Sequence, residues 1–156
     1  MTTVSNLDDL HNVEPYVWID TLPEYQATRV RLLMEHSESA LEAAKIWLEA
    51  SPENTYPFGG QKSENIFLEK IKDEFEKFLC GDKKYEEERS KLFSSGEALQ
   101  TTIVSSISAA IAPTIGASSV YLMPIIVLLF ITIGKISINA WCLYRLEERI
   151  KQKDKL

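Results

Sequence analysis

The polar residues with the most suggestive spacing lie in an uncharged segment of the C-terminal half. Thr101, Ser105, Ser108 and Ala112 follow one another at spacings of three and four, which places them along one helix face, and Gly116 continues the series. Small side chains let two helices approach closely in lipid, and a hydroxyl face can line a water-filled pore. Two interpretations stay open: this arm packs only on its partner arm, or several copies assemble around a pore.

A second pair of polar residues follows the same uncharged segment. Lys135 and Asn139 are four residues apart and share a helix face, and Trp141 and Tyr144 come just after them. In one interpretation the Lys135 side chain reaches the lipid headgroups while the two aromatic residues mark the membrane interface. In the other, Lys135 and Asn139 form a ring at the mouth of an oligomeric channel, because ionisable residues in membrane segments often mark ion pathways.

The residues that usually carry catalysis or bind metal form no recognisable pattern. His11 and His36 have no Cys or His partner at metal-ligand spacing, and the sequence contains no GxxxxGK, GxSxG, HExxH or CxxC motif. Cys80 and Cys142 lie 62 positions apart, which predicts two free thiols. The carboxylates fall between apolar residues at solvated helix positions. The sequence therefore predicts no enzyme activity, no cofactor and no metal site.

The charges divide the chain into two unlike parts. The 156 residues include 17 Lys and Arg against 23 Asp and Glu, for a net charge of -6. Residues 1–97, the acidic head, carry a net charge of -9, residues 98–156 carry +3, and no charged residue occurs in the 37 positions from Ala98 to Gly134. This balance argues against a basic nucleic-acid binder, a disulfide-stapled secreted module and a disordered chain. We expect no direct binding of nucleic acid.

The acidic head has the pattern of a small helical bundle. Apolar residues at spacings of three and four predict one helix from Thr21 to Ala50, followed by a loop over 51–61 that is rich in proline and glycine. A second helix is predicted from Ser63 to Cys80 and a third from Asp82 onward, with Gly96 as a candidate hinge. So few helical residues bury a limited core, which favours a partner or a second copy.

The uncharged segment predicts a transmembrane helical hairpin over 98–144. A spanning helix needs about 20 apolar residues, so this segment is too long for one helix and suits two. Its arms are predicted at 98–115 and 120–142, on either side of a turn that collects proline, glycine and serine. The basic tail, 145–156, completes an all-α chain. Since positive charge follows the hairpin and none flanks the turn, head and tail are both predicted on the cytosolic side.

The N-terminal residues support the same placement of the head. Residues 1–20 contain four acidic residues and no Lys or Arg. They therefore lack both the basic region and the apolar region of a secretory signal. We expect the head to stay in the cytosol.

The architecture resembles the small two-transmembrane effectors of bacterial anti-phage abortive-infection systems. The residues behind the resemblance are the serine-rich arm 100–112, the turn 113–119, Pro124, and the Lys-Ile-Ser-Ile-Asn-Ala-Trp-Cys stretch at 135–142. The resemblance implies a protein of the bacterial inner membrane that oligomerises and forms a pore or disrupts the membrane when triggered. Its partners would be the lipid bilayer, further copies of itself and a cytosolic regulatory protein.

Two other functions are compatible with the same pattern. The hairpin could only anchor the acidic head, as in a non-catalytic membrane adaptor, or it could be buried as the apolar part of a larger complex. The uncharged segment also looks like the hydrophobic hairpin of pore-forming colicins. The amphipathic helices that surround that hairpin in colicins are not predicted from this sequence.

Overall fold

The computed structural model describes residues 3–4, 13–50, 61–92, 94, 98–134, 136 and 138–154. The fold is all-α, as predicted. Its elements in chain order are β1 Thr3–Val4, α1 Pro15–Ile19, α2 Glu24–Glu35, α3 Ala40–Ala50, α4 Gln61–Leu79, a 3-10 turn Lys83–Tyr85, α5 Glu86–Leu92, β2 Ala98–Leu99, α6 Gln100–Ile115, α7 Ser119–Ile133 and α8 Ile138–Asp154. A two-residue antiparallel pair joins β1 to β2. The hinge at Gly96 and residues 51–60 of the predicted loop over 51–61 lie outside the described residues, and Gln61, the last residue of that loop, begins α4.

The single helix predicted from Thr21 to Ala50 is two helices, α2 and α3, in the structure. The Ser39 hydroxyl accepts the backbone N–H of Glu42 at 3.1 Å, and the Glu42 carboxylate accepts the backbone N–H of Glu38 at 2.7 Å. These bonds satisfy donors that a new helix start leaves unpaired, in the manner of a capping box. The hydrogen bonds of Ser39 and Glu42 therefore start α3 at a point where the apolar pattern by itself predicts that the preceding helix continues.

The corner between α4 and α5 is organised around one buried carboxylate, Glu74. The Tyr85 hydroxyl and the Lys84 ammonium each donate to Glu74 Oε1 at 2.6 Å, and the Lys77 ammonium lies 3.1 Å from Oε2. Burial by itself raises the pKa of Glu74, but the hydrogen bonds from Lys84, Tyr85 and Lys77 outweigh it and lower the pKa from 4.5 to about 2. The Arg89 guanidinium also donates to carbonyl oxygens at the end of α4.

This carboxylate makes the stability of the corner depend on pH. Because the pKa of Glu74 is lowered on folding, its stabilisation is present above pH 4.5 and is lost as the pH falls toward about 2. Glu74→Gln is expected to lower the free energy of unfolding at pH 7 by up to about 3 kcal/mol and to flatten this acid limb. Urea unfolding between pH 7 and pH 2 measures both effects. The exposed Glu87→Gln is the control, and identical pH profiles for the two variants would contradict the prediction.

The helices of the acidic head and the uncharged hairpin share one core. Helix α7 packs on α6 and on α1, α2 and α3, while α6 also packs on α4 and α5. Buried apolar residues from both parts of the chain form a continuous cluster, from Trp18 and Val30 in the head to Ile138 at the start of α8. The boundary at residue 97 is thus a boundary of composition that the packing crosses, and it stays a prediction as a boundary between domains.

The hairpin itself differs from the predicted pair of arms. Helix α6 ends at Gly116, whose φ of +84° is a left-handed conformation that glycine adopts without strain. Helix α7 ends at Gly134, with a φ of +69°, so the predicted arm over 120–142 is divided between α7 and α8. Among the described residues, a single helix with the length and hydropathy of a bilayer span does not occur, and α6 and α7 reach those limits only together, across a 116° bend.

Candidate functional site

Helix α7 is the most apolar element of the described chain and lies at its centre. Ten of its 15 residues are buried, and they occupy every side of the helix. A helix that is apolar all round belongs either in a protein core or in a membrane. The ten buried residues are Tyr121, Leu122, Pro124, Ile125, Ile126, Val127, Leu128, Leu129, Phe130 and Ile133.

Aromatic side chains of the head hold the C-terminal half of α7. Phe130 stacks on Trp18 of α1 with ring centroids 4.1 Å apart and an interplanar angle of 2°. Phe75 of α4 meets the same ring edge-on at 5.0 Å, and Trp141 of α8 meets Phe75 at 5.7 Å. Such pairs add about 0.5–1.5 kcal/mol each to the stabilisation from burial. Phe130 therefore contacts two helices of the bundle, α1 and α4, and Trp141 of α8 extends the same cluster through Phe75.

The N-terminal half of α7 is held by hydrogen bonds. Pro124 has no N–H, so the carbonyl of Val120, four residues earlier, lacks its ordinary helical donor. The buried Gln26 side chain of α2 supplies one, from Nε2 at 2.9 Å. The indole N–H of Trp47 on α3 donates to the next carbonyl, that of Tyr121, at 3.3 Å. The head therefore bonds to the start of α7 where a proline has freed a carbonyl.

Removing the Gln26 amide tests this tie. Gln26→Leu is expected to lower the free energy of unfolding by about 1–2 kcal/mol, because the Val120 carbonyl loses its donor in a part-buried position. Adding Pro124→Ala to that variant restores a backbone N–H to the same carbonyl and should recover most of the loss. Urea unfolding of the two variants, and of Pro124→Ala alone, measures the coupling. Additive effects would show that Gln26 acts elsewhere.

The small and hydroxyl residues predicted along one face of α6 lie at the edge of its buried side. Thr101 and Ala112 are half-buried, Ser105 is exposed and Ser108 is fully buried. Gly116 is the left-handed cap, and its N–H donates to the Ala112 carbonyl at 2.8 Å. In this structure the predicted face therefore borders the core. Its proposed role in a pore or in packing between copies is a prediction.

Two buried polar side chains of α6 have no hydrogen-bond partner. The side-chain amide nitrogen and oxygen of Gln100 make no hydrogen bond, although the residue is fully buried. The hydroxyl of Ser108, which is also fully buried, makes none either. A buried unsatisfied polar group costs about 1–3 kcal/mol. Gln100 was not among the candidate residues predicted from the sequence. The signal that could have identified it is a glutamine at the start of a charge-free segment.

The candidates after the hairpin are separated by the structure. Lys135 lies outside the described residues. Asn139 is exposed and lines a groove between α4 and α8, Trp141 is half-buried against Phe75, and the exposed Tyr144 donates its hydroxyl hydrogen to Glu148 at 2.7 Å. Trp141 and Tyr144 thus have different surroundings in this structure. A membrane-interface role for them is a prediction.

The prediction of two free thiols was wrong, because Cys80 and Cys142 form a disulfide. Their Cα atoms lie 5.8 Å apart although 62 positions separate them in sequence. Helix α8 runs antiparallel to α4 and brings Cys142 to the end of α4. Arg145, whose side chain is 11% exposed, extends the same contact, with Nε 2.7 Å from Glu76 and NH2 3.1 Å from Asp73.

The charges along this contact favour the ionised form of Arg145. Burial by itself lowers the pKa of Arg145, but Glu76 and Asp73 outweigh it, so the net shift is upward. Arg149 makes a further ion pair with Glu76. The disulfide and the ion pairs together hold α8 against α4.

In the ranges that the structure describes, no group of three His, Cys, Asp or Glu side chains is placed to hold a metal ion. The chain matches no protein-family model, no curated protein and no solved structure.

Proposed function

We propose that this chain is a membrane effector held in a closed form, in which the head covers the apolar hairpin of α6 and α7. When triggered, the hairpin leaves the bundle and enters the bacterial inner membrane. Several copies then form a pore or disrupt the bilayer, in the setting of anti-phage defence. The role requires no catalytic residue and no cofactor. Its partners are the lipid bilayer, further copies of the chain and a cytosolic regulatory protein.

The observation that carries the proposal is the cover that the head gives to most of α7. The helix has no charged side chain, and ten of its 15 residues are buried against α1, α2, α3, α6 and other parts of the core, although Val120 at its start is exposed. An apolar helix that is released from such cover exposes a large hydrophobic area to water. Transfer of that area into lipid is favourable by roughly 25 cal/mol per Å². The helices of the head thus pack around the hairpin, an arrangement that the sequence pattern did not predict.

The polar residues of α6 support a second, more polar environment for that helix. Gln100 and Ser108 are unsatisfied in the closed form. A water-filled pore, or hydrogen bonds between copies in lipid, would supply their missing partners. The unsatisfied groups of Gln100 and Ser108 therefore destabilise the closed form. They lie on α6, one of the two helices that would enter the membrane in the proposed open form.

The disulfide is compatible with the proposed topology. It links Cys80, before the hairpin, to Cys142, after it. Both flanks of the hairpin must therefore lie on the same side of any membrane that it enters. This agrees with two crossings and with head and tail on one side, as proposed from the charge distribution.

A second candidate function follows from the same burial. An apolar helix at the centre of a bundle is also what a non-membrane helical binding module contains, alone or inside a larger complex. The membrane-anchored adaptor is the third possibility from the sequence. The three functions differ in whether the hairpin ever leaves the bundle and in whether lipid is breached.

Leakage from lipid vesicles distinguishes them. Vesicles of phosphatidylethanolamine and phosphatidylglycerol with a trapped dye are mixed with the wild-type chain, with Phe130→Ala, which loosens the grip on α7, and with Glu74→Gln, which destabilises the corner away from α7. We expect leakage to rise with Phe130→Ala well above the other two. Flotation of vesicles without dye release would favour the anchor. Absence of both binding and leakage would favour the binding module, and equal leakage from both variants would contradict a specific role of the hairpin.

Replacing the unsatisfied Gln100 by an apolar residue should have the opposite effect and reduce leakage. Gln100→Leu removes two unsatisfied buried amide atoms and keeps most of the side-chain volume, so we expect the free energy of unfolding to rise by about 1–2 kcal/mol. In the Phe130→Ala background it should reduce dye release by roughly tenfold, since 1.4 kcal/mol corresponds to a factor of ten. Thr102→Leu, at an exposed position of α6 outside the small and hydroxyl face, is the control for added hydrophobicity. A stabilised variant that leaks as much as its parent would contradict the link.

A further inference from the structure

The two cysteines of the disulfide line an open groove at the surface. Cys80 is exposed, Cys142 is half-buried, and both line a groove together with Asn139, Leu143 and Arg149. Buried structural disulfides are closed to solvent thiols, whereas exchange needs a nucleophile to reach a sulfur. The groove gives that access.

We infer that Cys80–Cys142 is a site of thiol–disulfide exchange, and that a dithiol reductant opens it to release α8 from α4. The disulfide is the covalent part of the contact between the two helices. Disulfides that persist are rare in a reducing cytosol, where those present are usually transient or redox-sensing. An exchangeable bridge is the form that fits the proposed cytosolic placement of the head.

The surroundings of the two sulfurs determine which one is attacked. Cys80 follows the last residue of α4, at the negative end of that helix, and its N–H donates to the Glu76 carbonyl. Cys142 is the fifth residue of α8, near the positive end of its helix, and shares the groove with Arg149. A thiolate is stabilised near a helix N-terminus and an arginine, and the more stable thiolate leaves faster. Attack therefore falls on the exposed Cys80 sulfur, and Cys142 is the leaving group.

Exchange with a dithiol reductant needs no further reactant. A thiolate of the reductant bonds to Cys80 Sγ, the bond between the two protein sulfurs breaks, and Cys142 leaves as a thiolate and takes up a proton. The second thiol of the reductant, as its thiolate, then displaces Cys80, which is released and protonated. The protein gains two electrons and two protons as two thiols, and the reductant is oxidised to its own disulfide.

Opening the bridge leaves α8 held by weaker contacts. Helix α8 packs mainly on α4, through the ion pairs of Arg145 and Arg149 and the contact of Trp141 with Phe75. Leu143, Leu146 and Ile150 of α8 are exposed, and the first two line the groove beside the disulfide. We therefore expect reduction to loosen α8 while the core around α7 stays closed.

The site of attack can be mapped on the oxidised, full-length protein. The protein is incubated with reduced glutathione, quenched with an alkylating reagent and digested, and glutathione adducts on the two cysteines are counted by mass spectrometry. We expect adducts on Cys80 to exceed those on Cys142 by about fivefold or more. Equal adducts, an excess on Cys142, or no reaction under conditions in which the urea-unfolded protein reacts would overturn the assignment.

The release of α8 is measured by amide hydrogen exchange before and after reduction with dithiothreitol. We expect exchange at residues 143–150 to become about tenfold faster or more, with little change in 122–130. The double variant Cys80→Ser, Cys142→Ser should resemble the reduced protein and should not respond to dithiothreitol. Unchanged exchange in α8 would overturn the inference. Neither measurement uses a membrane, so its failure would leave the proposed function untouched.

Discussion

Phe130→Ala is expected to lower the free energy of unfolding by about 3–5 kcal/mol, the range for truncating a buried aromatic residue. Phe130 is 3% exposed and contacts Trp18 and Phe75 from two other helices. Its removal leaves a cavity at the point where the head holds α7, and both aromatic pairs are lost. Urea unfolding followed by circular dichroism measures the change.

The control for Phe130→Ala is Phe130→Leu. It keeps apolar volume but loses the ring contacts, so about half of the effect or less is expected. If alanine and leucine are equally destabilising, the aromatic contacts and not the cavity dominate. If alanine costs less than about 1 kcal/mol, Phe130 is not the point at which the bundle grips α7.

Arg145→Met is expected to be the next most damaging change, with a loss of about 3 kcal/mol. The substitution leaves the carboxylate of Glu76, which is 9% exposed, with Arg149 as its remaining cationic neighbour, and it removes the nearer of the two arginines that pair with Asp73. Removal of one member of a buried ion pair costs more than the pair contributes, because the other charge stays desolvated. The loss should be larger in reduced protein, where the disulfide no longer holds α8.

Two variants serve as controls for the Arg145 prediction. Arg149→Met removes a side chain that is 45% exposed, and about 1 kcal/mol or less is expected. Adding Glu76→Gln to Arg145→Met removes the stranded charge and should recover part of the stability. Equal losses from the two arginine variants would show that burial of the ion pair is not what matters.

The sequence was sufficient for the features that depend on local patterns. The apolar periodicity predicted an all-α chain, and the proline, glycine and serine residues predicted a turn where Gly116 separates α6 from α7. A charge-free segment identified the hairpin as unusual. The break at Ser39 was also present in the sequence, as a serine three residues before Glu42, but an uninterrupted apolar pattern outweighed it.

Features that depend on long-range contacts were not predictable in the same way. The disulfide joins residues brought together only when α8 runs back along α4, and sequence separation gives no measure of that distance. The burial of α7 was equally hidden, because a helix that is apolar all round has the same composition in a core and in a membrane. The role of Gln26 required knowing that α2 lies beside the carbonyl freed by Pro124.

The lengths of the two hairpin helices have a consequence for the bilayer they would enter. Helices α6 and α7 have 16 and 15 residues, so each is about 22–24 Å long at 1.5 Å per residue. The hydrocarbon core of a typical bilayer is about 30 Å thick, so both helices show negative hydrophobic mismatch. Lipids around them would have to compress, and each copy would impose a thinned annulus on its surroundings. Overlap of such annuli would draw copies together, so that membrane elasticity itself would favour assembly, most strongly in thick, stiff membranes.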